Sequence, residues 1–284
     1  MLDAPRLDLT AAQFGRISAL LYLVCGIALR PGKEALVKAR LSRRLRDLGL
    51  ANLEDYLAYL ESDTGGDELT HLVDALTTNQ TSFFREAAHF TFLAERMIPQ
   101  LGHRQGPIRL WSAGCSSGEE AYSLAITLRE HLPNVDGRDV RVLATDVSTQ
   151  VLATARAATY DEAALHGVSP HLVARYFGCV RREPPRQYQV VETVRAMVVP
   201  ARLNLLHTWP MRGPFDAIFC RNVLIYFDDQ ARYALVERFW QLLHPGGYLF
   251  VGHAESLTPH AFGYVQPAVY VKAAASLAPA ADEQ

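Results

Sequence analysis

The chain has 284 residues, with 28 Lys and Arg against 30 Asp and Glu, a formal net charge of -2, and 49% hydrophobic residues. These values are typical of globular proteins that stay in solution and argue against a disordered or fibrous chain. They also argue against a surface built throughout to hold nucleic acid, because that requires a broad excess of Lys and Arg.

Cysteine spacing and hydropathy favour a cytoplasmic protein without a membrane anchor. Cys25, Cys115, Cys179 and Cys220 form no C-x-x-C pair, so neither a zinc site nor a disulfide framework is indicated. The longest apolar stretch, from Ile17 to Leu29, is too short to cross a bilayer. The first residues are acidic rather than basic, which argues against a signal peptide.

The ten histidines give no sign of a metal site. None is followed by a second histidine at H-x-x-x-H spacing, and His253 lacks the downstream P-C-x-x-C of a zinc deaminase. We therefore expect scattered structural or surface histidines and no bound metal.

The first region, from Leu9 to about Leu101, has helical periodicity and no strand pattern. Thr10 and Gln13 are spaced as a capping box at the start of the first helix. Gly49 is placed to end the second. We predict an all-helical domain over 1–101, in which the later helices are Gly32 to Leu48, Leu53 to Leu60, Glu68 to Leu76 and Ala87 to Leu101.

After residue 106, short apolar runs alternate with longer amphipathic segments, which is typical of strands joined by crossover helices. We predict an α/β domain over 102–284. The predicted strands are Ile108 to Ala113, Val140 to Thr145, Ala217 to Cys220, Tyr248 to Gly252 and Val265 to Val271. The predicted helices are Glu119 to Leu132, Thr149 to Arg156 and Gln230 to Leu243, the last ended by the His244 to Gly247 segment.

The α/β alternation is interrupted between Tyr160 and Asn204. A Pro- and Arg-rich stretch, Arg181 to Arg186, precedes β-prone runs at Tyr188 to Val191 and Met197 to Val199. We predict a small β-subdomain inserted at about 178–200. The tail, about 273–284, is rich in small residues and is expected to be disordered.

A glycine turn follows the first predicted strand and indicates a nucleotide-type ligand. Gly114 and Gly118 let the backbone approach a ligand beside a helix N-terminus. Glu119 and Glu120 stand where a pyrophosphate would be repelled, so we expect a cationic ligand, such as the ammonium and sulfonium of S-adenosylmethionine. The alternative is that both glutamates only complement the helix dipole.

Polar residues also follow two other predicted strands. Asp146 ends the second strand, where a carboxylate usually binds ribose hydroxyls, although an Asp before a helix is also a common N-cap. The strand near Ala217 runs into Arg221 and Asn222 and then Tyr226. Polar groups there face the cofactor crevice, although Tyr226 could instead be a core aromatic.

Seven blocks of the sequence share a pattern with one known family. They are Asn79 to Glu86 (N-Q-T-S-F-F-R-E), Gly114 to Ser123, Ala144 to Asp146, Arg175 to Phe177, Asn204 to Leu206, Phe215 to Phe227, and His244 to Gly247 through His253 to Ser256. Together these blocks resemble the CheR-type chemotaxis receptor methyltransferases. The resemblance covers nearly the whole chain, and the blocks at Asn79 and Phe215 are long and uncommon. The resemblance implies a helical N-terminal domain and a Rossmann-like S-adenosylmethionine-dependent methyltransferase domain that carries a small β-subdomain.

The resemblance also implies an activity, which is methyl transfer from S-adenosylmethionine to receptor glutamates, and a set of site residues. Arg85 and Tyr226 would lie beside the transferred methyl group. The alternative for Arg85, from its residue type alone, is a surface ion pair. The implied cofactor contacts are Asn79, Thr81, Arg85, Glu120, Asp146, Asn204, Leu205, Arg221 and Asn222.

Two receptor contacts follow from the same resemblance. The second helix carries Lys38, Arg40, Arg43 and Arg46, which either form a solvated basic face or face the acidic methylation region of a receptor. In some relatives the β-subdomain binds a receptor tether peptide, but Gly178 here is not followed by a glycine-rich turn. A methyltransferase for another substrate and a noncatalytic signalling scaffold are the alternatives for the whole chain.

Overall fold

The computed structural model describes residues 8–62, 66–257 and 261–273. Its first part is a bundle of four helices, as the periodicity predicts, around a core that includes the fully buried Ile17, Leu21, Val37, Leu41 and Leu45. The helices are α1 (Ala11–Cys25), α2 (Glu34–Leu48), α3 (Leu53–Ser62) and α4 (Asp67–Leu76).

Local capping chemistry sets the ends of the first two helices. The Thr10 hydroxyl accepts from the Gln13 backbone N–H at 3.3 Å, and the Gln13 side chain accepts from the Thr10 N–H at 3.1 Å, so the predicted capping box is confirmed. Gly49 ends α2 with φ at +69°, a conformation that costs glycine little. The start of α2 is Glu34, two residues after the predicted Gly32.

The next helical segment belongs to the second core, which corrects the predicted boundary at residue 101. It comprises α5 (Ala87–Phe92), a π-helical turn (Leu93–Met97) and α6 (Ile98–His103). Phe90, Leu93 and Ile98 pack in the same cluster as the sheet residues Leu110 and Val142. Helical periodicity identifies a buried face but does not say which core will bury it, so the sequence assigned this segment to the wrong domain.

A seven-stranded sheet forms the centre of the second part. Its strands are β1 (Ile108–Ala113), β2 (Val140–Asp146), β6 (Val198–Arg202), β7 (Phe215–Cys220), β8 (Leu243–Val251), β9 (Phe262–Gln266) and β10 (Val269–Lys272). They lie in the order β6-β2-β1-β7-β8-β10-β9. The first five strands in this order pair in parallel, whereas β8 with β10 and β10 with β9 pair antiparallel. The predicted α/β class is therefore confirmed.

The sheet reverses its strand order beside β1, with β2 on one side and β7 on the other. Ligands of open α/β sheets bind beyond the carboxyl ends of the strands at such a reversal. The connecting helices are α7 (Glu119–His131), α8 (Thr149–Ala157), α9 (Pro170–Tyr176), α10 (Glu192–Arg195) and α11 (Asp229–Leu242).

Two predicted boundaries near the C-terminus are wrong. The run Val265 to Val271 is not one strand, because Pro267 has no N–H and Ala268 has φ at +63°, so the chain turns back between β9 and β10. The segment His244 to Gly247 lies within β8, which begins at Leu243 directly after α11.

The inserted β-structure is a three-stranded sheet whose bounds differ from the predicted 178–200. It contains β3 (Thr159–Asp161), β4 (Phe177–Arg181) and β5 (Gln187–Val190), in the order β3-β5-β4. The run Met197 to Val199 lies instead at the start of β6, where Val198 pairs with Val142 of the main sheet. Strand propensity is the same in both sheets, and the choice of partner is a tertiary one.

No helix in the described ranges is both long and apolar enough to cross a bilayer. The tail predicted to be disordered, about 273–284, lies outside the described residues from 274 onward.

Candidate active site

A cavity of about 330 Å³ lies at the carboxyl ends of β1, β2 and β7, between the helical bundle and the sheet. The bundle contributes Cys25, Ile27 and Leu76 to its wall. All ten residues that the resemblance implies as catalytic residues or cofactor contacts line this one cavity: Asn79, Thr81, Arg85, Glu120, Asp146, Asn204, Leu205, Arg221, Asn222 and Tyr226.

The turn between β1 and α7 brings backbone close to the cavity. Gly114 and Gly118 have φ of +85° and +100°, a region that favours glycine. A Cβ on Gly114 would lie 2.4 Å from Val223 Cγ2, so a side chain there would displace the segment after β7.

The two glutamates after this turn have different surroundings. Glu120 lines the cavity, where its Oε1 accepts from the Ser112 hydroxyl at 2.7 Å and its Oε2 from Arg221 Nη1 at 2.9 Å. Burial raises the pKa of Glu120, and the charge of Arg221 opposes that rise. Glu119 instead accepts from the Ser117 hydroxyl at 2.7 Å and is not among the lining residues. Glu120 is therefore the carboxylate placed to meet a cation.

Asp146 is held by two backbone N–H groups. Its Oδ2 accepts from Ser116 and its Oδ1 from Ser148, each at 2.9 Å. Burial nevertheless raises the pKa of Asp146, against the effect of these hydrogen bonds. The side-chain cap of α8 is Ser148, which accepts from the Val151 N–H, so the N-cap alternative for Asp146 is wrong. Each carboxylate oxygen keeps a free lone pair that can accept from a hydroxyl.

Arg221 is the central cation of the site, and its side chain is 2% exposed. It bridges Glu120 at 2.9 Å and Glu86 at 3.1 Å, and it also donates to the backbone carbonyl of Arg85. The segment after β7 is thereby fixed to the segment that precedes α5. Sequence reasoning assigned no role to Glu86, which appeared only as the last residue of a resembling block.

Glu255 is the second residue that sequence reasoning missed. It is 8% exposed and accepts three backbone N–H groups, from Gly252 at 2.6 Å, Asn222 at 2.8 Å and Ile225 at 3.1 Å. Asn222 has φ at +59°, and a Cβ on Gly252 would lie 2.4 Å from its Nδ2. The carboxylate therefore stabilises the unusual backbone that presents Asn222 and Tyr226 to the cavity.

Arg85 and Tyr226 are both half-buried on the cavity wall, so Tyr226 is not a core aromatic. Arg85 Nη1 donates to the Gln80 carbonyl at 2.9 Å. Among residues of the described ranges no acidic side chain forms an ion pair with Arg85. The guanidinium therefore keeps donors for another ligand.

Asn79 and Asn204 use part of their hydrogen-bonding capacity within the protein. Asn79 Nδ2 donates to the Thr77 hydroxyl at 3.1 Å. Asn204 Nδ2 donates to the Val24 carbonyl at 2.5 Å, and its Oδ1 accepts from the Leu206 N–H at 3.0 Å. Asn204 thus fixes the end of α1 beside the cavity, and the predicted roles of both residues in cofactor binding stay predictions.

Comparison with known proteins agrees with this geometry. The family model "CheR methyltransferase, SAM binding domain" matches residues 79–271, and "CheR methyltransferase, all-alpha domain" matches residues 12–77. This chain belongs to the CheR methyltransferase family. The boundary between the two matches also agrees with the packing of α5 and α6 on the sheet.

Named relatives are similar over most of their length. A chemotaxis protein methyltransferase of Klebsiella aerogenes is 46% identical over 258 residues, which cover 90% of this chain and 87% of the relative. That of Escherichia coli is 43% identical, with 89% and 87% covered. A probable chemotaxis protein methyltransferase of Rhizobium etli is 41% identical, with 85% and 91% covered.

Family membership makes this protein an S-adenosylmethionine-dependent methyltransferase, and the cavity fits that cofactor. Its volume is within the usual range for small-molecule sites. The half-buried carboxylates of Glu120 and Asp146 are acceptors suited to an ammonium and to ribose hydroxyls, and Ile27 and Leu76 give an apolar wall.

Proposed function

We propose that this protein methylates glutamate side chains in the cytoplasmic methylation region of chemoreceptors and so sets receptor adaptation. The observation that carries the proposal is the single cavity in which two cofactor-type carboxylates, Glu120 and Asp146, lie with Arg85 and Tyr226. Since the proposed substrate region is cytoplasmic, we also propose a cytoplasmic location for the enzyme.

The chemistry that follows is direct displacement. A glutamate has an ordinary pKa near 4.3, so at neutral pH it is an anion and needs no general base. S-adenosylmethionine, when bound, supplies an electrophilic methyl group on a sulfonium. The protein's own task is to hold the attacking carboxylate in line, which can contribute about 7 to 11 kcal/mol.

Arg85 and Tyr226 are proposed to orient the substrate carboxylate. A guanidinium can hold a carboxylate through paired hydrogen bonds, and a phenol can donate a third. We expect Arg85→Ala and Tyr226→Phe each to lower kcat, by about a hundredfold for Arg85→Ala, since small displacements from in-line geometry have effects of that size. Methyl ester formation on receptor cytoplasmic fragments is measured by base-labile release of labelled methyl groups.

Two exposed residues provide matched controls for these variants. Arg96→Ala and Tyr264→Phe make the same chemical changes away from the cavity and should leave the rate unchanged. Near-normal activity in both site variants, with cofactor affinity intact, would remove Arg85 and Tyr226 from the mechanism.

A basic face of α2 is the proposed contact with the acidic receptor region. Its four members have different surroundings: Arg43 and Arg46 are exposed, whereas Arg40 donates to the carbonyls of Leu76 and Thr77 at 2.8 Å each. Arg40 therefore holds the end of α4, and Lys38 lies 3.8 Å from Asp8. The exposed pair provides the cleaner test of receptor steering.

We expect Arg43→Glu combined with Arg46→Glu to slow receptor methylation at low salt and to lose most of that effect at high salt. The reason is that surface charges steer encounter, and their interaction is screened beyond about 10 Å at 0.1 M salt. Initial rates across a salt series provide the measurement. Arg156→Glu combined with Arg212→Glu, two exposed sites outside α2 and the three-stranded sheet, is the control with equal charge change. Equal rates for both double variants at low salt would refute the steering role.

The three-stranded sheet is the proposed place for a receptor tether peptide. This chain has no glycine-rich turn at Gly178, because Gly178 lies in β4 and Cys179 and Val180 continue the same strand. Titration of receptor C-terminal peptides into the protein tests this partner directly.

Two alternatives make different predictions in the same assay. A methyltransferase for another substrate would bind the cofactor but form no base-labile ester on receptor fragments. A noncatalytic scaffold would also bind the cofactor but would transfer labelled methyl groups to no acceptor, so repeating the label assay with a whole-cell extract separates it from a methyltransferase for another substrate.

A further inference from the structure

Three side chains with metal-binding atoms meet beside the cofactor cavity. Glu86 Oε2 lies 3.6 Å from His89 Nδ1 and 3.9 Å from His253 Nε2. All three ligand atoms lie within 4.8 Å of one another. Glu86 and His89 come from the start of α5, and His253 comes from the loop after β8. The expectation of scattered histidines is therefore wrong for His89 and His253, because strand order brings together residues that are far apart in sequence.

His89 is the member that most needs a partner. Its side chain is 0% exposed, and neither ring nitrogen has a hydrogen-bond partner within residues 8–62, 66–257 and 261–273. Buried polar groups in native proteins are nearly always bonded, and an orphan atom often marks a missing water or ion.

We infer that Glu86, His89 and His253 form a binding site for one divalent transition-metal ion of the Zn²⁺ type. Two imidazole nitrogens and one carboxylate oxygen are a donor set that Zn²⁺ accepts. With bonds of about 2.0 to 2.1 Å, ligand atoms in a tetrahedral site lie about 3.4 Å apart. The two separations from Glu86 need to close by only a few tenths of an ångström. The two histidine nitrogens, which lie within 4.8 Å of each other, need to close by at most about 1.4 Å. His253 has a 53% exposed side chain, which gives a path for entry and room for a water as fourth ligand.

Arg221 lies next to Glu86, but its positive charge repels a bound cation only weakly. Its charge is already compensated by the carboxylates of Glu86 and Glu120, so the cluster carries excess negative charge. A carboxylate has about four lone-pair sites, and Glu86 Oε2 can accept from Arg221 and bind a metal at once. Mg²⁺ and Ca²⁺ are disfavoured, because both require mainly oxygen ligands.

The test uses the full-length chain, without a histidine affinity tag, after chelator treatment. Calorimetric titration with Zn²⁺ should show one equivalent per chain, and Co²⁺ should give the visible absorption bands of a low-coordinate nitrogen and oxygen site. We expect His253→Gln and His89→Gln each to weaken Zn²⁺ binding by at least about tenfold, the loss that even outer-shell partners cause. Zn²⁺ should also raise the Tm of the unmodified chain, since it binds the folded state.

The control is His171→Gln, which removes an exposed histidine that lies 4.0 Å from Glu130 outside the cluster. It should bind Zn²⁺ as the unmodified chain does. If His89→Gln fails to fold, His253→Gln still tests the site, because the His253 side chain is 53% exposed and its replacement leaves the core intact. The inference is overturned if Zn²⁺ and Co²⁺ do not bind, or if His253→Gln binds Zn²⁺ with unchanged affinity.

Discussion

Arg221→Met is expected to lower the free energy of unfolding by about 3 to 5 kcal/mol and to abolish cofactor binding. The substitution keeps most of the side-chain volume but leaves the carboxylates of Glu120 and Glu86, which are 12% exposed, without their shared cation. Removing one partner of a buried ion pair leaves an uncompensated buried charge, and losses of this size follow. Urea unfolding and cofactor calorimetry measure the two effects.

The stability that Arg221→Met loses should depend on pH, and the pKa shifts of Glu86 and Glu120 predict in which direction. Burial acts to raise the pKa of Glu86, but the charge and the hydrogen bond of Arg221, together with smaller effects of His253 and His89, lower the pKa overall. Burial raises the pKa of Glu120, and Arg221 limits the rise. Without Arg221, the folded-state pKa of Glu86 should rise above its ordinary value, and that of Glu120, which is already raised, should rise further. Such groups destabilise the fold as pH increases, so the deficit should be larger at pH 8 than at pH 5.

Two further variants make this prediction specific. Glu120→Gln added to Arg221→Met removes one stranded charge and should recover part of the stability. Arg175→Met breaks the ion pair between Arg175 and Glu130, whose charged atoms lie 2.7 Å apart. Because the Arg175 side chain is 55% exposed, this substitution should lower the free energy of unfolding by less than about 1 kcal/mol. A deficit in Arg221→Met that stays constant from pH 5 to pH 8 would contradict the stranded-charge explanation.

Glu255→Ala is expected to lower kcat by about a hundredfold and to cost at least about 4.5 kcal/mol of stability. Its carboxylate accepts the N–H groups of Gly252, Asn222 and Ile225, and hydrogen bonds to a charged group are worth about 1.5 to 3 kcal/mol each. Their loss lets Asn222 leave its positive φ and moves the adjoining turn that carries Tyr226. A shift of about 1 Å at a reacting group is enough for a hundredfold effect.

The comparison of kcat with stability separates positioning from general damage. Glu255→Gln keeps one acceptor oxygen and should fall between Ala and the unmodified chain in both measurements. Glu95→Ala removes an exposed carboxylate and should change neither. Unaltered turnover in Glu255→Ala, at a temperature where it remains folded, would show that this carboxylate does not position the site.

The sequence by itself determined the local elements and the residue types of the site. The capping box at Thr10, the glycine at 49 and the turn at Gly114 act within a few residues, so spacing alone predicts them. Five of the candidate residues, Glu120, Asp146, Arg221, Asn222 and Tyr226, were also found in this way, since polar groups after parallel strands meet at one sheet edge. The family resemblance supplied the other five, Asn79, Thr81, Arg85, Asn204 and Leu205, and the choice of Glu120 over Glu119, which agrees with the cavity lining.

Only the tertiary structure decided which elements share a core and which distant side chains meet. The segment Ala87–His103 and the run at Met197 to Val199 have patterns that suit either of two cores or sheets, so local propensity could not assign them. Arg221 and Glu86 are separated by 135 positions, and no spacing rule connects them. The network of Arg221, the carboxylate of Glu255 and the meeting of His89 with His253 depend on strand order, because long-range pairing is set by packing of the whole sheet and not by neighbouring residues.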